Sequence, residues 1–228
     1  MSAINEALIR DVVSEVLGRL GQAPAAKPAA SPAPAKEHCG CPQGNGHMST
    51  PSTGRGKYGV FQDPNEACVA AHAGFLQLRE KGVAARAKVV EIVKTMADAN
   101  AIEWGRIELE ESKIGRLDHK IEKLKIIKLV PGVEWLRPDG RSGDHGITLE
   151  EYTPFGVIAA VTPSTHSVPT LSGNIINMVA AGNGVVFNAH PGACKSAAMA
   201  VREYNKAIER ETGIENLVTI VEQPTLES

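Results

Sequence analysis

The sequence predicts an α/β protein with a parallel sheet. Two short β-rich segments, Gly156–Thr162 and Gly184–Asn188, each open into a polar, Gly/Pro-marked turn before a helical pattern. That is the layout of a nucleotide-binding βαβ unit. A third strand-like run, Leu217–Glu222, follows the second helical pattern. The order β-α-β-α-β implies parallel strands joined by right-handed crossovers.

Size and composition bound the reading. The chain has 228 residues, room for roughly one or two domains. Its formal net charge of −2 gives no electrostatic argument for nucleic acid or an anionic membrane. No apolar stretch approaches the roughly 20 residues that span a bilayer. Glu6, Arg10, Asp11 and Glu15 interrupt the apolar residues of the N-terminus, which is wrong for a secretory signal. Four cysteines in a chain of this size do not indicate a disulfide scaffold, so a reducing, cytoplasmic compartment is expected.

The elements follow in order. Ile4, Leu8, Ile9, Val12, Val13, Val16, Leu17 and Leu20 recur at helical spacing opposite polar residues, and Gly21 stands where such a helix ends. Residues 22–57 are rich in Ala, Pro, Ser and Gly and read as a linker that cannot offset its ordering entropy. A short helix on such a leash is marginal alone and needs a partner for its apolar stripe. It docks to another molecule, packs back on its own domain, or self-associates.

From Asp63 to Lys128 the pattern is helical. Asp63 can cap a helix whose first position is Pro64, with Ala67, Val69, Ala70, Phe75 and Leu76 on an apolar side. A second helix begins near Val83 and runs through Val89, Val90, Ile92, Val93 and Met96. Ile107–Lys128 alternates charges around Ile114, Leu117, Ile121 and Leu124 and reads as a solvated amphipathic helix, broken near Gly115. After Pro131, Gly132, Pro138, Gly140, Gly143 and Gly146 mark loops. Ile147–Tyr152 is a strand, and the helices between the three sheet strands are Val168–Ala181 and Ala193–Thr212.

Two loops at strand ends carry the candidate chemistry. The first is Thr162-Pro163-Ser164-Thr165-His166, whose hydroxyls and backbone amides near a helix start suit a pyrophosphate or a developing oxyanion. The second is Asn188-Ala189-His190-Pro191-Gly192-Ala193, which is either a ligand contact or a plain strand-to-helix turn. His166 is either a loop residue without a chemical task or a catalytic base. Among the cysteines, Cys39 and Cys41 lie in the linker with His47 nearby, but Cys-x-Cys is tighter than zinc spacing and no second pair follows, so no metal site is expected. Cys68 reads as a small core residue. Cys194 sits near a helix start beside Lys195, where a thiol can be activated.

The segments LEESKIGRLDHKIEK (109–123), VPGVEWL (130–136), GDHGITLEEYTPFGVIAAVTPST (143–165), NMVAAGNGVVFNAHPGA (177–193) and ENLVTIVEQPT (215–225) carry a resemblance. In order and spacing they resemble the N-terminal half of the CoA-acylating aldehyde dehydrogenases of bacterial microcompartments, over roughly residues 63–228. The resemblance implies an aldehyde dehydrogenase-like fold. N-terminal helices would be followed by the first half of a Rossmann-type parallel sheet, incomplete at the C-terminus. Residues 1–21 would then be an encapsulation helix that binds a microcompartment shell protein. Residues 22–57 would be its linker and 58–228 a partial NAD-binding domain, with a short oligomerisation-type strand at about 147–152. A homo-oligomer in the microcompartment lumen is implied for the complete protein.

The chemistry the resemblance implies begins with a cysteine thiolate attacking propionaldehyde or acetaldehyde. Hydride then passes to NAD, with NADP not excluded, and CoA takes the acyl group from the resulting thioester. Cofactor contacts fall on Thr162, Pro163, Ser164 and Thr165 in the first loop and on Asn188, His190, Pro191 and Gly192 in the second. Non-acylating relatives have an oxyanion-binding Asn where this chain has Thr165, and many acylating relatives have Asn-Pro in place of His166-Ser167. The Lys and Glu that contact a ribose in non-acylating relatives are absent from the second loop. Cys194 matches the adenosine end of the site, far from hydride transfer, and reads as structural. The nucleophilic cysteine is expected beyond Ser228, so this chain holds no catalytic residue and is inactive by itself. The alternative is a non-catalytic truncated subunit that docks to a shell or binds a nucleotide.

Overall fold

The computed structural model describes residues 56–225. The expected helix at 4–20, nearly all of the linker, and Cys39, Cys41 and His47 lie outside the described residues. The first helix, α1 (Pro64–Ala99), starts as the sequence dictates: the Asp63 carboxylate accepts the Asn65 amide at 2.9 Å, and Pro64 occupies the first turn, where its missing N–H costs nothing. At Gly82 the backbone turns to φ 71°, ψ −161°, a conformation open essentially to glycine alone. The element is therefore two rods, 64–81 and 83–99, and the second begins where the sequence expects it. Val69, Leu76 and Val83 are exposed rather than packed, and so is Cys68, which is not the core residue its apolar neighbours imply.

The charged stretch that follows is two helices. α2 (Ala101–Ser112) ends at Lys113 in the left-handed region, and α3 (Leu117–Lys125) runs on into a 3-10 turn at Ile126–Leu129. The break near Gly115 is as expected, but the face is not fully solvated: Glu108 and Lys120 are buried. Next come β2 (Asp139–Gly143) and β3 (Gly146–Glu150), paired antiparallel from Asp139 with Glu150 to Gly143 with Gly146. The sequence reading has only loops before Gly146 and a strand to Tyr152. Glycines at 140 and 143 hide β2, which exists because its backbone pairs with β3; β3 itself stops at Glu150. All ten positions are exposed, Ile147 and Leu149 included.

The sheet is parallel throughout, in the order β1-β6-β5-β4. Its strands are β1 (Val60–Phe61), β4 (Val157–Thr162), β5 (Gly184–Ala189) and β6 (Val218–Val221), with α4 (Ser167–Ala180) and α5 (Cys194–Thr212) as crossovers. β1 was not anticipated. It is two residues long and pairs Val60 with Ile220 and Phe61 with Val221, while Phe61 O accepts the Glu222 amide at 2.7 Å. Successive side chains of β5 go to opposite faces. Phe187 enters the main core with Leu78, Val93, Ile176, Ile208 and Ile220, whereas Val186 meets Phe61, Ala67 and Ala71. Burying a side chain of the Phe187 kind contributes about 1.5–3 kcal/mol.

Tyr204 and Asn183 are buried polar residues whose side chains find partners. The Tyr204 hydroxyl lies 2.7 Å from Ser172 Oγ, and its ring meets Trp104 edge-on at 5.3 Å. Burial pushes its phenol well above the ordinary range, although the bond to Ser172 opposes that. The Asn183 side chain accepts the amides of Phe155 at 2.7 Å and Gly156 at 3.0 Å and so sets the start of β4.

Candidate functional site

Because β4 and β5 are parallel neighbours, their C-terminal ends leave the sheet side by side. Thr162 is paired with Ala189, and the His190 amide donates to Thr162 O at 2.9 Å. The two candidate loops therefore meet. A Cβ built on Gly192 would lie 3.9 Å from Ser164 Cβ and 3.3 Å from His190 Nδ1. Thr162, Ser164, His190 and Gly192 thus form one cluster, with Pro163, Thr165 and Pro191 exposed along its rim and Asn188 half-buried at the end of β5.

Several of these side chains already have local work. His190 Nδ1 accepts the Gly192 amide at 3.0 Å and shapes the second turn. Thr165 Oγ1 lies 2.8 Å from His166 Nδ1. Thr162 is fully buried, and its hydroxyl oxygen has no hydrogen-bond partner among the described residues. His166 is half-buried. Burial lowers its basicity first, the Lys123 and Lys120 charges act in the same direction, and Glu108 opposes them. These surroundings favour the neutral imidazole. Cys194 is half-buried, and its thiol donates to Pro191 O at 3.3 Å. No grouping of three or more His, Cys, Asp or Glu that could hold a metal occurs among the described residues.

What sequence reasoning missed is the support beneath the loops. Glu108 and Glu111, three apart on α2, share a helix face. Glu108 Oε1 accepts the Ser167 amide at 2.9 Å and the Lys120 ammonium at 2.9 Å, and Lys120 also donates to Thr165 O at 3.1 Å. Glu111 accepts the amides of Lys195 and Ser196, each at 2.7 Å. These carboxylates occupy first-turn amides of α4 and α5, and Pro169 supplies none. These are amides of the helix starts that the sequence reading offers to an anion. Three of them are taken, and an incoming phosphate there would face carboxylates. No local signal marks these residues, because their partners lie 12 to 85 positions away.

The fold of this chain is similar to that of solved acylating aldehyde dehydrogenases. The kinship is narrower than that. An acetaldehyde dehydrogenase (acetylating) of Bilophila wadsworthia is 39% identical over 173 residues, which is 75% of this chain and 35% of that protein. A propionaldehyde dehydrogenase of Rhodopseudomonas palustris, solved with bound CoA and an acylated cysteine, superposes with a TM-score of 0.72. The two are 37% identical over 75% of this chain and 40% of the other. A propionaldehyde dehydrogenase from the Clostridium phytofermentans fucose utilisation bacterial microcompartment gives 0.70 and 37%, over 74% of this chain and 39% of the other. No model of a known protein family matches the sequence. Over about three-quarters of its length the chain is homologous to the CoA-acylating aldehyde dehydrogenases, and it spans 35% to 40% of the length of these relatives.

Proposed function

We propose that the protein to which this chain belongs oxidises a short aldehyde, propionaldehyde or acetaldehyde, to its acyl-CoA. The observation that carries the reading is the meeting of the two loops at the ends of β4 and β5 in a chain homologous to acylating dehydrogenases. When bound, NAD or NADP supplies the hydride acceptor and CoA the acyl acceptor. The residues present suit such a ligand. Gly192 leaves open the space that a side chain would fill between Ser164 and His190, and the hydroxyls of Ser164 and Thr165 stand at the rim. The second loop bears neither a Lys nor a Glu between Asn188 and Ala193, so it favours neither NAD nor CoA by charge. Thr162, Pro163, Ser164 and Thr165 form one wall of the cradle, and Asn188, His190, Pro191 and Gly192 the other.

Residues 1–21 serve as an encapsulation peptide for a shell protein, residues 22–57 as its tether, and 58–228 as a cofactor-binding domain in the microcompartment lumen. No helix among the described residues is long and apolar enough to cross a membrane. Titration calorimetry tests the site. Saturable binding of NAD and of CoA, each displacing the other, is expected, and heat of dilution alone for both would overturn the reading. In the same preparation, deleting residues 1–20 is expected to abolish co-purification with shell proteins while leaving nucleotide binding intact.

A further inference from the structure

We infer that the buried Glu108–Lys120 pair is a positioning device for the first cofactor loop, orienting the peptide between Thr165 and His166 towards the ligand; this rests on the cofactor-site reading above. The pair bridges α2 and α3, and its side chains are 0% and 2% exposed. Buried ion pairs are poor sources of stability, since apolar residues of like volume serve as well or better. This one does more than pair. Lys120 holds Thr165 O, and Glu108 holds the Ser167 amide, so both neighbours of His166 are pinned from beneath.

The consequence follows from peptide geometry. The 165–166 peptide is trans, so its carbonyl and its N–H point in opposite directions. With the carbonyl drawn inward to Lys120, the His166 amide is directed outward, and it has no hydrogen bond to another described residue. Thr165 is exposed beside it, with its hydroxyl 2.8 Å from the His166 ring. The loop therefore presents a fixed amide donor two residues beyond Ser164, suited to an acceptor oxygen of the bound nucleotide. Preorganised donors of this kind serve a ligand only while their supporting shell holds them. The second Glu108 oxygen is buried without a partner among the described residues, so the carboxylate depends on Lys120 and on the Ser167 amide.

The test compares the 228-residue chain with the double variant Glu108→Leu/Lys120→Met, which removes both charges together, and with Glu108→Gln and Lys120→Arg. Calorimetry reads the Kd for NAD and, separately, for CoA; hydrogen exchange reads the amides of 163–168 against the rest of the chain. The double variant is expected to keep its circular dichroism and overall exchange, to exchange faster at 165–167, and to bind at least one nucleotide about tenfold more weakly. Lys120→Arg, which keeps the donor, should recover most of that affinity. If the double variant fails to fold, the near-isosteric Glu108→Gln carries the same comparison. Wild-type Kd for both nucleotides in a variant with loosened 165–167 amides overturns the inference alone. Weakening that follows a uniform loss of protection across the chain overturns it too, as a merely structural role. A wild-type chain that binds neither NAD nor CoA overturns the cofactor reading, and the inference with it.

Discussion

Replacing Glu111 by alanine takes two carboxylate oxygens from the start of α5, where they accept the amides of Lys195 and Ser196 at 2.7 Å each. The two losses are unequal. Lys195 is exposed, so water takes over its amide, whereas Ser196 is buried and its amide is stranded. A stranded buried donor costs about 1–3 kcal/mol, and loss of a helix cap about 0.5–2 kcal/mol. The two figures describe overlapping groups, so the expected loss is about 2 kcal/mol rather than their sum. With a denaturant slope of about 2 kcal/mol per molar, the urea midpoint should fall by about 1 M. Glu111→Gln keeps one acceptor oxygen and should recover about half of that shift. Glu110→Ala, at an exposed position on the same helix, should stay within about 0.5 kcal/mol of the parent. Unfolding followed by far-ultraviolet circular dichroism measures all three. The reasoning fails if Glu111→Ala unfolds with the midpoint of Glu110→Ala.

Two further outcomes are expected. His166 should titrate below the ordinary histidine value near 6.5, because burial and the neighbouring Lys123 charge disfavour its protonated form. Its folded pKa lies below its unfolded one, so its contribution to stability is complete above the unfolded value and is lost as pH falls through the folded one. A proton–nitrogen NMR titration that places its midpoint at or above 6.5 would refute this. Gly74→Ala would stabilise an exposed helix by about 1 kcal/mol. Here the new Cβ would stand 2.8 Å from Leu217 Cα and 2.9 Å from the backbone oxygens of Glu215 and Asn216. Backbone cannot step aside cheaply, so a net destabilisation of about 1–3 kcal/mol is expected, read as a lowered Tm; a raised Tm would show that the helix can shift.

The parts of the fold legible in the sequence are those whose signal is local. β4, β5 and β6 are short apolar runs bounded by turn residues, and their intervening helices show their period within a single segment. Asp63-Pro64 announces the start of α1, and Gly82 divides it where a left-handed residue is required. The candidate loops are legible for the same reason: each follows directly from a recognisable strand, so the strand order alone brings them to one end of the sheet. Elements whose residues lack a pattern of their own were missed. β1 has two residues, and β2 reads Asp-Gly-Arg-Ser-Gly; each exists because another strand offers its backbone.

The sequence by itself determined the β-α-β-α-β order, the two loops and, through its quoted segments, the kinship with acylating aldehyde dehydrogenases. Only the tertiary structure decided that Val60 returns to pair with Ile220, and that two charges from a stretch with the look of a solvated helix are withdrawn beneath the first loop. It also decided that Glu111 takes the amides at the start of α5. The reason is physical. Periodicity and turn chemistry record what a residue needs from its neighbours in the chain. The burial of Glu108 and Lys120 depends instead on each other across the turn between α2 and α3 and on a backbone carbonyl 45 residues further on, a dependence that leaves no trace in either local pattern.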